Sequence, residues 1–422
     1  MEKEQTVVKS LSGMQIAAVA AGNALEFYDF LIFGLFAVQI GATFFPGHGP
    51  TGGLLLTLAT FGVGFLTRPL GGAVIGPLGD RIGRKPAMLF SFGLMGASIV
   101  GLALTPSYAS IGVAAPVLVV LFRLLQGFAL GGEVGPTTAF LMEAAPPAKR
   151  GLYVSFQFAT QQVAVLIGGL VGAILAKLLS PADLTSWGWR AAMLVGAMVV
   201  PIALMIRHRL PETFERQPHI KAPRPTRAQV KLGLLMLVMV ASATIATYTL
   251  NYLNIYATHN LGMPTALTFG AVAVAGTCGT IFSLIGGWLG DRIGRKPVMI
   301  SAFGLLCLAG LPCFLLMSNL RTPAALYGCA ALMASLLALG LSTVVSSLSE
   351  GLPPQMRSGG IGIVYAVAVA TFGGTASFVV AWLIEVTGSP LAPAWYMCAA
   401  LALGVCAMMA VRETAPIKTG AR

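Results

Sequence analysis

Apolar residues run through this chain in stretches of bilayer-crossing length, about twelve of them at roughly 20 residues per span. This feature excludes most folds. A soluble core has to be covered by polar sequence. Here 56% of the 422 residues are hydrophobic and only 9% are charged, against roughly 25% charged in soluble domains. Lipid is the solvent that tolerates such a surface. The 51 glycines fit the same picture, because small residues let membrane helices approach closely.

The net charge of +12 does not point to nucleic acid, because the basic residues are sorted by loop. All but Arg68, Arg123, Lys177, Arg190 and Arg321 fall near the termini or in alternate connections. Examples are Arg81, Arg84 and Lys85, then Lys149 and Arg150, then the run from Arg207 to Lys231. Such bias predicts that these loops and both termini are cytoplasmic. Ala18-Val19-Ala20 is loosely like a signal-cleavage site, but the apolar stretch continues past it, so an uncleaved first helix is expected. The six cysteines lie in spans of the second half without metal-ligand spacing to histidine. Neither a metal site, a cofactor nor a disulfide framework is expected.

The predicted spans are 14–42, 53–76, 86–105, 112–143, 151–178 and 189–208, then 231–257, 266–288, 297–317, 323–349, 359–386 and 393–411. The Pro-rich, charged stretch 211–230 separates 1–210 from 231–422 and reads as a cytoplasmic linker. The two halves repeat. Gly79-Asp80-Arg81-Ile82-Gly83-Arg84-Lys85-Pro86 returns as Gly290-Asp291-Arg292-Ile293-Gly294-Arg295-Lys296-Pro297, 211 positions on. Glu143 and Arg150 are echoed by Glu350 and Arg357 at an offset of 207. The expected fold is all-α, with twelve transmembrane helices in two pseudo-symmetric six-helix bundles. Duplicated halves of this kind mark alternating-access carriers.

Gly76 to Lys85 resembles the loop 2–3 signature of the major facilitator superfamily, and Arg123-Leu-Leu-Gln126-Gly127 with Gly131 resembles its helix 4 signature. Gly22 to Phe30, Arg68-Pro69-Leu70-Gly71 and Gly131-Gly132-Glu133 are similar to the metabolite:proton symporter family. Ile111 to Val120, Gln161 to Ala164, Ser186 to Arg190 and Met397 to Ala400 look like its citrate and tricarballylate symporters. Phe27-Tyr28 departs from the pattern, since many relatives carry a Trp in that pair. The resemblance implies proton-coupled uptake of a small organic anion across a bacterial inner membrane, by a monomer. Citrate or a related tricarboxylate comes first. A dicarboxylate such as 2-oxoglutarate, or shikimate, comes second. Osmolyte uptake, drug efflux and a non-transporting sensor rank below. The tail lacks the coiled coil of osmolyte carriers. No zinc-protease, P-loop or nucleophile-elbow motif argues for an enzyme.

Ionisable groups inside spans cost about 2.5–3.5 kcal/mol on the insertion scale, so they mark function or pairing. They are Glu26, Asp29, Arg68, Arg123 and Glu133. Asn23, Glu26 and Asp29 are spaced by threes and are expected to share a face toward a water-filled cleft. The acids outnumber the arginines by one, so protonation is expected to favour anion binding. Asp29, Glu26, Arg123 and Glu133 are the proton-coupling candidates, and the resemblance sets Asp29 opposite Arg123. The alternative is a plain helix 1–helix 4 lock through Arg123. Substrate candidates are Arg68, Asn23, Tyr28, Arg123, Gln157 and Gln161, with Tyr248, Asn251 and Tyr252 on one face of helix 7. For Arg68, interfacial snorkelling competes with carboxylate binding. By resemblance, Asp80, Arg81, Arg84, Asp291, Arg292 and Arg295 form gates. Arg190 with Trp187 and Trp189 is expected at the outer interface, and His259 in a wet loop.

Overall fold

The computed structural model describes residues 24, 27–82, 84–131, 141–142, 145–198, 226–351 and 362–420, with only the backbone for 76–77, 79–82, 84–89 and 228. Asn23, Glu26, Glu133 and most of the linker lie outside the described residues.

Helices make up nearly all of the described chain, and no strand occurs in it. In the first half they are α1 (Phe27–Leu35), α2 (Ala37–Phe44), α3 (Gly49–Leu66), α4 (Arg68–Ile82), α5 (Arg84–Leu104), α6 (Ala114–Leu130), α7 (Arg150–Leu178) and α8 (Trp189–Ala197). The second half has α9 (Arg227–Asn251), α10 (Thr265–Ile293), α11 (Arg295–Leu320), α12 (Pro323–Gly351), α13 (Gly374–Thr387) and α14 (Ala392–Ala410). Each of the twelve predicted spans contains described helix. Among the described residues, 8 helices pass a length and hydropathy test for membrane crossing, or 9 if α1 and α2 count as one broken span.

The local sequence sets the helix ends. Thr226 and Gln229 close a capping box at the start of α9, each side chain bonded to the other's backbone N–H. Between α10 and α11 the repeated motif turns at Gly294, whose φ of 111° suits a residue without Cβ. The first span departs from its predicted continuity. It bends by 67° between α1 and α2, and Asn254 Nδ2 donates to the Leu35 carbonyl at the break, 2.9 Å away. A side chain from the second half thus satisfies backbone that the kink leaves free.

Two apolar cores follow the duplication. One is built mainly from first-half residues such as Phe33, Phe44, Phe65 and Trp189. The other comes mainly from second-half residues such as Met299, Phe303, Met333 and Met397. Between them, α7 packs along α10. Gly151 meets Gly287 near the motif end, Gly276 meets Leu166 midway, and Gly172 meets Phe269 at the opposite end. Gly62 of α3 meets Gly374 of α13. The halves are therefore in contact at both ends.

Within the first half, α3 and α6 approach so closely that a Cβ on Gly127 would collide with the Gly64 carbonyl. That contact is with backbone, so relief requires the helices to separate. Gly127→Ala should cost on the order of 1–3 kcal/mol of overpacking strain and lower the melting temperature of the purified protein by several degrees. Gly304→Ala, with nothing within 4 Å of the added carbon, should leave it in place. Equal melting temperatures would contradict the close approach.

Candidate functional site

The α3–α6 seam carries Arg123 into the first-half core, where it is 0% exposed. Its guanidinium lies 4.6, 4.5 and 5.0 Å from the ring centres of Phe30, Phe33 and Phe61. It donates to the Gln126 Oε1 and, at 3.2 Å, to the Phe61 carbonyl. Arg68 opens α4, with its guanidinium 4.4 Å from the centres of both Phe30 and Phe65. Phe30 therefore carries a cation on each side of the site. Among the described residues neither arginine pairs with a carboxylate, and the Nε of each is buried without a partner.

A cation over an aromatic face gains about 0.5–2 kcal/mol. Taking a charge out of water costs several kcal/mol. The rings thus hold the arginines in place without neutralising them. Among the described residues, no negative charge enters this cage.

Asp29 does not supply it. It is 1% exposed, its carboxyl oxygens have no hydrogen-bond partner among the described residues, and it faces Gly196 of α8. Tyr28 turns the same way and donates to the Ala192 carbonyl at 3.0 Å. The expected opposition of Asp29 to Arg123, and a place for Tyr28 and Asp29 on the cleft, are not realised in this conformation. The reason is rotational: Phe30 and Phe33 take the face toward Arg123, and Leu31, Gly34 and Leu35 take the face toward the cavity.

That cavity lies between the halves and has room for about one water molecule. Tyr248, Asn251 and Tyr252 all line it, on the face that their spacing predicts. Ser377 of α13 lines it too, a residue that sequence reasoning missed because a lone serine in an apolar helix carries no signal. Gln157 and Gln161 are buried on α7 and do not line it. Among the described residues that line this cavity, Asp29, Arg68 and Arg123 do not appear.

The repeated motif builds a second cluster at one end. Asp291 accepts from the N–H groups of Gly151 and Leu152, both at 2.9 Å, and so caps α7 across the boundary between the halves. It also pairs with Arg295 at 2.7 Å, and Arg295 pairs with Glu350 at 2.9 Å. Glu413 caps α11 through the N–H groups of Arg295 and Lys296. Burial alone would raise the Glu413 carboxyl, but N–H donors from Ala415, Arg295, Lys296 and Thr414 outweigh it and hold it below the ordinary range. Arg292, predicted as a gate, is exposed and stacks on Trp288 at 4.3 Å. The side chains of Asp80, Arg81 and Arg84 lie outside the described residues.

Two interface expectations change. Arg190 donates to the carbonyls of Ala103 and Thr105 at 2.6 and 2.7 Å, closing the end of α5. Trp189 is fully buried, while Trp187 is 48% exposed.

A family model described as Major Facilitator Superfamily matches residues 19–283, and one described as Sugar (and other) transporter matches 219–419. A citrate-proton symporter of Salmonella typhi is 35% identical, over 94% of each chain. An alpha-ketoglutarate permease of Escherichia coli is 32% identical, over 90% of this chain and 89% of the other. A proline/betaine transporter of Salmonella typhimurium is 30% identical, over 96% and 84%. Among solved structures, a D-xylose-proton symporter superposes with a TM-score of 0.76 at 17% identity, covering 95% of this chain and 98% of that one.

The Asp291 cap predicts how one end opens. Asp291→Asn removes the charge that joins Arg295 to the start of α7 and should loosen this end. A cysteine placed at Ser155, fully buried beside Gly287, should then react several-fold faster with a membrane-impermeant thiol reagent applied from that side. An unchanged rate would show that the cap does not hold the end shut.

Proposed function

From the premise that the chain belongs to the major facilitator superfamily, and is a multi-pass membrane transporter rather than an enzyme, we propose that it is a proton-coupled uptake carrier for a small organic anion. The best reading of the substrate is citrate or a related tricarboxylate. The observation that carries it is the pair of guanidinium groups on Phe30, held by ring faces with no carboxylate partner among the described residues. Guanidinium forks match carboxylates bidentately, and a polyanion offers a carboxylate to each of the two arginines. Names among the relatives support the same reading, since a citrate-proton symporter and an alpha-ketoglutarate permease match over most of this chain. The proline/betaine relative favours a zwitterion, but a single carboxylate leaves one of the two arginines unanswered. A dicarboxylate is the second reading.

In this proposal the proton enters at Asp29. Burying an ionised carboxylate without a partner costs far more than burying the neutral acid, so closure over Asp29 is coupled to proton uptake. Glu26 and Glu133 remain candidates for the same role. The motif end is placed in the cytoplasm, with both termini, on the strength of the basic loops. The domain boundaries at 210 and 231 belong to the same proposal.

The test is uptake of labelled citrate, 2-oxoglutarate, shikimate and betaine into proteoliposomes, with and without an inward proton gradient. Citrate accumulation driven by the gradient is the expected result, and accumulation of betaine alone would overturn the anion reading. Arg68→Lys keeps the charge but loses the fork, and should raise the citrate KM about tenfold or more. Asp29→Asn should retain citrate exchange and lose the response to the gradient. Full gradient-driven accumulation by that variant would remove Asp29 from the coupling step.

A further inference from the structure

The cavity between the halves is not part of the arginine cage. One residue, Phe61, belongs to both. Its ring lies 5.0 Å from the Arg123 guanidinium and its carbonyl accepts from Arg123, while the same side chain walls the cavity. Tyr248 repeats the arrangement, with its ring 6.0 Å from Phe61 and 5.6 Å from Phe65 and an edge on the cavity. One side of this aromatic wall holds two cations. The other is lined by apolar side chains and by the neutral hydrogen-bonding groups of Tyr248, Asn251, Tyr252 and Ser377.

Those groups have unused capacity. The Asn251 Nδ2 is buried and has no partner. Ser377, Tyr248 and Tyr252 bring three hydroxyls to the same lining. A buried donor left unmade is unfavourable, so the compartment is built for an occupant. The void is about the size of one water molecule, which is also the size of one hydroxyl group. The amide supplies donors, and the serine and tyrosine oxygens both donate and accept. A hydroxyl, which also does both, fits this lining better than a group that only accepts.

The geometry points to a hydroxyl-reading compartment. Asn251 and Ser377 recognise a single neutral hydroxyl on a polycarboxylate whose charges are taken by Arg68 and Arg123. This rests on the organic-anion reading above and narrows it to hydroxylated polycarboxylates. In a 2-hydroxy carboxylate the hydroxyl and a carboxylate hang from one carbon. Phe61, which borders both compartments, marks where such a ligand would have to bring the two groups together. Asn251 and Ser377 come from opposite ends of the second-half sequence, on α9 and α13, so their convergence is a property of the bundle.

Citrate and tricarballylate differ only in that hydroxyl, and their ratio tests the inference. In wild-type proteoliposomes, kcat/KM for citrate should exceed that for tricarballylate by about tenfold or more, as expected where a site's polar groups are left unpaired by the deoxy analogue. Ser377→Ala and Asn251→Ala should each pull the ratio toward parity, and Ser377→Thr, which keeps the hydroxyl, should restore it. Competition binding of the two acids to the wild-type protein gives the same ratio without relying on any variant. Transport of both acids with no wild-type preference, or a preference that survives both alanine variants, would overturn this inference and leave the anion carrier standing. Transport of neither acid would overturn the anion reading itself, and this inference with it.

Discussion

A buried guanidinium with no carboxylate opposite it among the described residues is the constraint around which the first half is organised. Arg123 is sealed from solvent, and three phenylalanine faces, one carbonyl and one glutamine surround it. Such contacts offset only part of the cost of removing a charge from water. The close approach of α3 and α6 through Gly64 and Gly127 is what lets that side chain reach across to the Phe61 carbonyl. Arg68 shares Phe30 with it, so two like charges converge where hydrophobic packing alone would have placed none. An arrangement of this kind is understandable in a protein whose ligand completes it.

The remainder of the molecule keeps that site shut. Glycines on α7 and α10 let the halves touch along their length, and Asp291 pins the start of α7 from across the boundary. Charge-assisted bonds of this type contribute about 1.5–3 kcal/mol each, enough to bias an equilibrium without locking it. The cavity is correspondingly small, and the ionisable groups are separated: Asp29 toward α8, Arg123 among the rings, Arg68 over Phe30 and Phe65.

Much of this was legible in the chain itself. Each of the twelve apolar runs contains described helix, because lipid requires a minimum thickness of apolar helix. The duplicated Gly-Asp-Arg-Ile-Gly-Arg-Lys-Pro motif marked Asp291, Arg292 and Arg295 alike, of which Asp291 and Arg295 pair, and the 3.6-residue period placed Tyr248, Asn251 and Tyr252 on one face. The 67° bend after Leu35 was not legible, since no proline marks it and the side chain that satisfies it is Asn254, far along the chain. The same holds for Arg190, which reads as an interfacial charge and instead closes the end of α5.

The sequence by itself determined the solvent, the class of fold, the two-fold repeat and the residue types available for chemistry. Those follow from composition and periodicity, which are properties of neighbours along the chain. The tertiary structure alone decided which polar groups face one another. Asp29 and Arg123 sit in spans that touch, yet the azimuth of the first helix turns Phe30 and Phe33, not Asp29, toward the arginine. Ser377 meets Asn251 only because α9 and α13 converge on the boundary between the halves. Contact at that resolution depends on the azimuth of each helix, and packing against the rest of the bundle sets it.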